Sequence, residues 1–170
     1  MPQNLFLIGP MGVGKTTIGR HLARLLRLDF LDSDQEIEKR TGATIPLIFE
    51  IEGEAGFRKR ETEILDELTA HESVVLATGG GAVLAESNRR VLRKRGLVIY
   101  LHASVDTQLA RTSKSRHRPL LETDDRRSKL EELMRVREPL YRQEADLIVD
   151  TENRSPLSVA REIAAYAENR

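Results

Sequence analysis

The chain has 170 residues, the size of one domain, and its 39% hydrophobic and 32% charged residues describe a folded globular protein rather than a disordered one. Its 27 Lys and Arg match its 27 Asp and Glu, so no global charge excess points to nucleic acid or to a membrane surface. The absence of cysteine excludes a disulfide scaffold, a thiolate metal site and a thiol nucleophile.

In chain order, Leu5-Phe6-Leu7-Ile8 reads as a buried strand by length and composition, and Gly9 stops it. Ile18, Leu22, Leu25 and Leu26 then recur at helical spacing. Residues 28–31, 74–77, 97–101 and 147–149 supply four more apolar strands. Between them Ile64, Leu65 and Leu68 mark one helix, Val91 and Leu92 a second, and Leu130, Leu133 and Met134 a third. Ser155-Pro156 reads as an N-cap with Pro at N1, opening a last helix with Val159 and Ile163 inward.

Apolar strands separated by helices imply a parallel sheet covered on both faces. Right-handed crossovers make it a three-layer, doubly wound α/β fold of five strands, whose ligands gather at the carboxyl ends of the strands. No repeat or linker divides the chain, so one domain over residues 1–170 is expected. No apolar run approaches the roughly 18 residues of a membrane span. The first such run already belongs to a motif, which leaves no room for a signal peptide and makes the cytoplasm the expected location.

Residues 9–16 read Gly9-Pro10-Met11-Gly12-Val13-Gly14-Lys15-Thr16, a full G-x-x-x-x-G-K-[ST] match between a strand and a helix. Glycines there let consecutive backbone N–H groups close on phosphate oxygens, and the helix that follows adds the positive end of its dipole. Lys15 supplies a charge to the β- and γ-phosphates, and the Thr16 hydroxyl is a Mg²⁺ ligand. A dinucleotide fingerprint fails because Thr17 stands where its third glycine belongs. The expected ligand is a nucleoside triphosphate.

At the end of the second strand, Asp32 and Asp34 share a face if the strand continues through them. One carboxylate could then serve Mg²⁺ and the other accept a proton from an attacking hydroxyl. The competing reading is a solvated loop with acidic residues at the start of a helix near Gln35. Gly56-Phe57-Arg58-Lys59-Arg60-Glu61 opens a helix; Lys59 and Arg60 read as solvated, whereas Arg58 is a candidate for carboxylate binding. Glu61, three residues on, can fix the fork of Arg58. Thr78-Gly79-Gly80-Gly81 follows the third strand and suits close approach of backbone to a ligand. Residues 111–142 hold ten Lys and Arg against six Asp and Glu, including Arg111, Arg118, Arg135 and Arg137. Between the two basic clusters, Pro119-Leu120-Leu121-Glu122-Thr123-Asp124-Asp125 is apolar then acidic, a candidate cover over a polyphosphate, with a basic patch for nucleic acid as the competing reading.

Together these motifs resemble shikimate kinase from the first strand to the last helix. They are the phosphate loop, the D-x-D at Asp32 and Asp34, G-F-R at Gly56 to Arg58, Gly79-Gly80-Gly81, R-P-L-L at Arg118 to Leu121, and R-x-x-x-Y at Arg137 and Tyr141. The resemblance implies a nucleoside-monophosphate-kinase-like fold with strand order 2-3-1-4-5, a substrate-binding segment over about 33–61 and a lid over about 112–125. It implies transfer of the γ-phosphoryl group of ATP to the 3-hydroxyl of shikimate in aromatic amino acid biosynthesis. Lys15, Asp34 and Arg118 would be catalytic. The nucleotide would contact Gly12, Val13, Gly14, Lys15, Thr16, Thr17 and Arg118, with Arg111 and Arg154 flanking the adenine. Asp34, Arg58, Gly79, Gly80, Gly81 and Arg137 would hold shikimate, with Phe49 and Phe57 as an apolar wall. One Mg²⁺ per subunit would arrive with ATP, held by Thr16 directly and by Asp32 through water.

Two other readings share much of this pattern. A gluconate or nucleoside monophosphate kinase would keep the fold, although the latter wants stacking aromatics and only 4% of this chain is aromatic. A non-catalytic ATP switch would keep the phosphate contacts but has no use for Asp34 or a carboxylate clamp. His21, His71, His102 and His117 lack metal-ligand spacing. No heptad argues for an obligate partner, so a monomer is expected.

Overall fold

The computed structural model describes residues 3–112 and 125–170. Five strands form one all-parallel sheet: β1 (Leu5–Ile8), β2 (Asp29–Asp32), β3 (Val74–Ala77), β4 (Leu97–His102) and β5 (Leu147–Asp150), in the order β2-β3-β1-β4-β5. The helices are α1 (Lys15–Leu26), α2 (Ser33–Thr41), α3 (Ile45–Leu68), α4 (Glu86–Arg95), α5 (Val105–Thr112), α6 (Arg126–Glu144) and α7 (Pro156–Glu168). A 3₁₀ turn at Ala82–Leu84 precedes α4.

Alternation along the central strands sorts the core into two layers. Leu5, Leu7, Leu97, Ile99 and Leu101 face α1 and α7, where Ile18, Leu22, Val159 and Ile163 meet them. Phe6, Ile8, Val98 and Tyr100 face the opposite layer, built from Ile64, Leu65 and Leu68 of α3, Leu92 of α4 and Tyr141 of α6. Both faces of β1 and β3 are buried, which is why their sequences are continuously apolar.

Element boundaries follow local hydrogen bonding. The second strand begins at Asp29, one residue later than the apolar run, because the Leu28 N–H still closes α1 onto the Ala23 carbonyl at 2.9 Å. Arg27 makes that turn in the left-handed region at φ 58°. The helix expected to open at Gly56 instead lies within α3, whose break falls at Gly53 (φ 74°, ψ 177°). As expected, Ser155 caps α7, its side chain accepting from the Ser158 N–H at 3.1 Å.

Gly9 carries the chain from β1 into the phosphate loop at φ 145°, and a Cβ there would stand 2.5 Å from the Leu101 carbonyl oxygen of β4. That obstacle is backbone in the middle of the sheet and cannot swing aside. Gly9→Ala is expected to destabilise the fold by about 3 kcal/mol through strain and clash together. In thermal unfolding that is a fall in Tm of roughly 10 °C for a chain of this size. A variant melting with the wild type would contradict this reading of the turn.

Candidate active site

The phosphate loop forms because the chain must turn from a buried strand into a helix within a few residues. Gly12 (φ 83°) and Gly14 (φ 92°) take left-handed backbone that other residues rarely adopt. Gly14 is also the N-cap of α1, so no side chain occupies the first N–H groups of that helix, and its first turn holds no acidic residue. Lys15 folds back over the loop and donates from Nζ to the carbonyls of Gly9 (2.6 Å) and Pro10 (2.8 Å). Val13 packs its side chain into the core, and the Thr17 side chain is exposed.

The two aspartates come together in a different way from the shared strand face that the sequence suggested. β2 ends at Asp32, which caps α2: its Oδ1 accepts from the Gln35 N–H at 3.0 Å. Its Oδ2 accepts from the Thr16 hydroxyl at 2.7 Å, tying the phosphate loop to the β2–α2 junction. Asp34 lies in the first turn of α2. Both carboxylates nevertheless line one cleft of about 320 Å³, together with Lys15, Thr16, Gly79 and Gly80. Thr16 and Asp32 are hard oxygen donors, and the described residues contain no group of three or more carboxylates or histidines that could hold a metal. That donor set fits Mg²⁺, which takes one or two protein oxygens and draws the rest of its shell from phosphates and water.

The glycine loop after β3 forms one wall of this cleft. Its start is pinned to β1, since both the N–H and the hydroxyl of Thr78 donate to the Leu7 carbonyl. The Gly79 N–H donates to Ser33 Oγ at 3.2 Å. Among these glycines no φ is positive, so conformational freedom is not their reason. Space is. A Cβ on Gly79 would stand 2.8 Å from Glu61 Oε2 and 2.9 Å from Asp34 Oδ1. On Gly81 it would stand 2.6 Å from Arg58 Cζ, and on Gly80 3.4 Å from Arg137 Nη1. Charged side chains from α2, α3 and α6 thus converge on a wall that has no side chains of its own.

Arg58 is held on that wall by Glu61, whose Oε1 accepts from Nη1 at 2.8 Å, and by Glu54 at 3.3 Å. Its guanidinium also lies over the Phe57 ring, which packs against Phe49 with centroids 4.9 Å apart. Glu61 is 1% exposed. Burial pushes its carboxyl pKa up, opposed by the charges of Arg58 and Arg137. Its Oε2 accepts no hydrogen bond from the described residues. Arg137 is 4% exposed, and none of the described carboxylates forms an ion pair with it. Burial lowers its pKa and the nearby charge of Arg58 adds to that. Two guanidinium groups that repel each other, one of them buried and without an ion pair to any described carboxylate, make a site for an anion.

The expected adenine contacts are less uniform. Arg111 reaches the phosphate loop, donating from Nη1 to the Gly12 carbonyl at 3.0 Å. Arg154 instead turns onto α7, pairing with Glu162 at 2.7 Å and donating to Ser158. Arg118 and most of the lid expected over 112–125 lie outside the described residues. Ser33 and Glu54 went unread in the sequence, and Tyr141, named within the R-x-x-x-Y motif, was given no role of its own. For Tyr141 the signal was present, since it stands one helical turn after Arg137.

A glycine-rich loop at the head of α1, facing a cleft with its own carboxylates and cations in a 2-3-1-4-5 parallel sheet, defines a P-loop kinase. Sequence comparison narrows the class. The family model described as shikimate kinase matches residues 11–168. A shikimate kinase of Methylococcus capsulatus is 61% identical over 161 residues, covering 95% of this chain and 90% of that protein. A solved shikimate kinase from Acinetobacter baumannii, in complex with shikimate, superposes with a TM-score of 0.96 at 50% identity, over 98% of this chain and 93% of that one. A gluconokinase from Sinorhizobium meliloti, with a TM-score of 0.64 at 17% identity over 99% of this chain and 93% of that one, shares the fold alone. The chain belongs to the shikimate kinase family, which are ATP-dependent kinases of the transferase class. Among the described residues no helix is long and apolar enough to cross a membrane.

Proposed function

We propose that this chain transfers the γ-phosphoryl group of ATP to the 3-hydroxyl of shikimate, releasing shikimate 3-phosphate and ADP, as a step toward chorismate and the aromatic amino acids. The observation that carries the acceptor's identity is Arg137, a buried guanidinium without an ion pair to any described carboxylate, which stands against Gly80 while Arg58 stands against Gly81. Such a pair takes a small carboxylate. Asp34, in the same cleft, takes ring hydroxyls and orients the one that attacks. Gly79, Gly80 and Gly81 let the ring approach backbone, and Phe49 with Phe57 supplies the apolar side.

Across the cleft, Gly12, Val13, Gly14 and Thr17 contribute to the nucleotide site, and Lys15 neutralises phosphate charge. Thr16 and Asp32 are the residues that would hold Mg²⁺, one ion per subunit with the ATP; bound there, it draws charge off the polyphosphate. Residues 33–61 serve as the acceptor-binding segment. The lid over 112–125, Arg118 as its catalytic cation, and adenine contacts from Arg111 and Arg154 rest on the sequence resemblance. The enzyme works as a cytoplasmic monomer without nucleic-acid or membrane partners.

The test is ADP release by purified protein with Mg²⁺ and ATP, comparing shikimate, gluconate, AMP and no acceptor. Stimulation by shikimate alone is expected. Stimulation by gluconate or AMP instead would keep the kinase and remove the carboxylate clamp. ATP binding without stimulation by any acceptor would replace the enzyme with a switch module.

A further inference from the structure

One buried group on the acceptor side is left without a role by the clamp itself. Tyr141 lies one helical turn after Arg137 on α6 and is 0% exposed. Its hydroxyl donates to the Gly80 carbonyl at 2.5 Å. The Arg137 guanidinium stands at the same glycine, its Nη1 3.4 Å from where a Gly80 Cβ would lie, and its charge acts on the phenol. A phenol has one proton to give and lone pairs to receive, so one oxygen can serve both neighbours at once. The ring is fixed from behind by a stack on Tyr100 of β4, with centroids 4.9 Å apart. Tyr100 is fixed in turn by its hydrogen bond to Glu138 and by Arg142 over its face.

The choice of a neutral partner has a physical reason. Arg137 is buried and repelled by Arg58, so something must hold it toward the cleft when no acceptor is bound. A carboxylate would hold it and would also neutralise it, competing with the acceptor's own carboxylate. A hydroxyl orients the guanidinium and leaves its charge intact. Burial pushes the Tyr141 pKa upward, so the phenol stays protonated and keeps its donor bond to Gly80.

We infer that Tyr141 is a positioning residue whose buried hydroxyl couples the Arg137 guanidinium to the Gly80 carbonyl and so presets the cation that receives the acceptor's carboxylate. The inference rests on the clamp reading proposed above. It differs from simple core packing because its effect must travel through the acceptor's charge.

The experiment is a kinetic and calorimetric comparison of wild type with Tyr141→Phe, using shikimate and its uncharged methyl ester. The variant should raise the KM and Kd for shikimate about tenfold, the size of one hydrogen bond to a charged group. The KM for ATP should stay unchanged. For the ester, which offers Arg137 no charge, the difference between variant and wild type should disappear. An unchanged KM for shikimate, or equal weakening of acid and ester, overturns the inference. Should Tyr141→Phe fail to fold, the wild-type protein labelled with 3-fluorotyrosine gives the answer. The chain has three tyrosines, so Tyr100→Phe and Tyr166→Phe assign the fluorine signals by elimination. The Tyr141 signal should move on saturation with shikimate and stay in place with the ester; a signal indifferent to shikimate overturns the inference. Wild type that ignores shikimate altogether refutes the clamp reading, and the inference with it. Wild type with normal turnover beside an indifferent Tyr141→Phe refutes the inference alone.

Discussion

Asp34→Asn is expected to lower kcat by about 10³-fold, the middle of the range for a lost general base, while the KM for ATP stays nearly constant. The substitution keeps the size and shape of the side chain and its place in the first turn of α2. It removes only the charge and the capacity to take a proton. The carboxylate lies on the glycine wall beside Gly79, across the cleft from Lys15, where an acceptor hydroxyl must stand to reach a phosphoryl group. Asp32, in contrast, is engaged by Thr16 and by the α2 backbone, and belongs to the nucleotide half. Steady-state kinetics with each substrate varied in turn separate the two halves. Near-normal turnover would remove Asp34 from the mechanism, and an equal loss in ATP affinity would move it to the nucleotide side.

Lys15→Met is expected to lower kcat by about 10²-fold or more, because a preorganised charge at the transferring phosphate is among the largest single contributions to such a reaction. Here the KM for ATP should rise as well, since the ammonium meets the polyphosphate before and during transfer. Lys15 is folded across the loop, donating to Gly9 and Pro10, which keeps its ammonium at the phosphate loop. Methionine keeps the aliphatic stem and deletes the charge. The KM for shikimate should be unaffected. A variant that lost shikimate affinity and kept its ATP kinetics would reverse the two halves of the cleft.

These two expectations draw on parts of the molecule that were legible to different degrees. The phosphate loop was fully legible, because its glycines, lysine and threonine are contiguous and their conformations follow from residue type. The three inner strands were legible because burial on both faces leaves continuous apolar runs, and the half-exposed edge strands β2 and β5 still carry short ones. The end of the second strand was legible in composition and misread in geometry. Asp32 and Asp34 do share a cleft, yet Asp32 ends the strand as a helix cap, and Asp34 points from the helix that follows. An aspartate immediately before an acidic helical turn fits either arrangement, and only pairing with β3 fixes where the strand stops.

The glycine wall shows what one-dimensional reading lacks. Local partners were readable: Glu61 lies three residues after Arg58, and the pair meets at 2.8 Å. What no spacing encodes is that α2, α3 and α6 bring Asp34, Glu61, Arg58 and Arg137 onto three successive bare Cα atoms. The sequence reads the glycines as suited to close approach of backbone to a ligand; none has a positive φ, and the space left by their missing Cβ atoms borders charged side chains from distant elements. The break at Gly53 within α3 was hidden for a related reason, since a lone glycine in a helical pattern marks either a tolerated weak point or a kink. The resemblance sets Arg154 beside the adenine, and spacing alone does not show that its guanidinium pairs with Glu162 eight residues on.

The central claim is transfer of phosphate to one particular hydroxyl of shikimate, and the product tests it most directly. Wild-type protein, ATP, Mg²⁺ and shikimate are incubated to completion, and the product is examined by ³¹P–¹H correlation NMR. A single phosphate ester is expected, its phosphorus coupling to the ring proton at carbon 3. Coupling to a different ring position, or release of inorganic phosphate with shikimate unchanged, would contradict it.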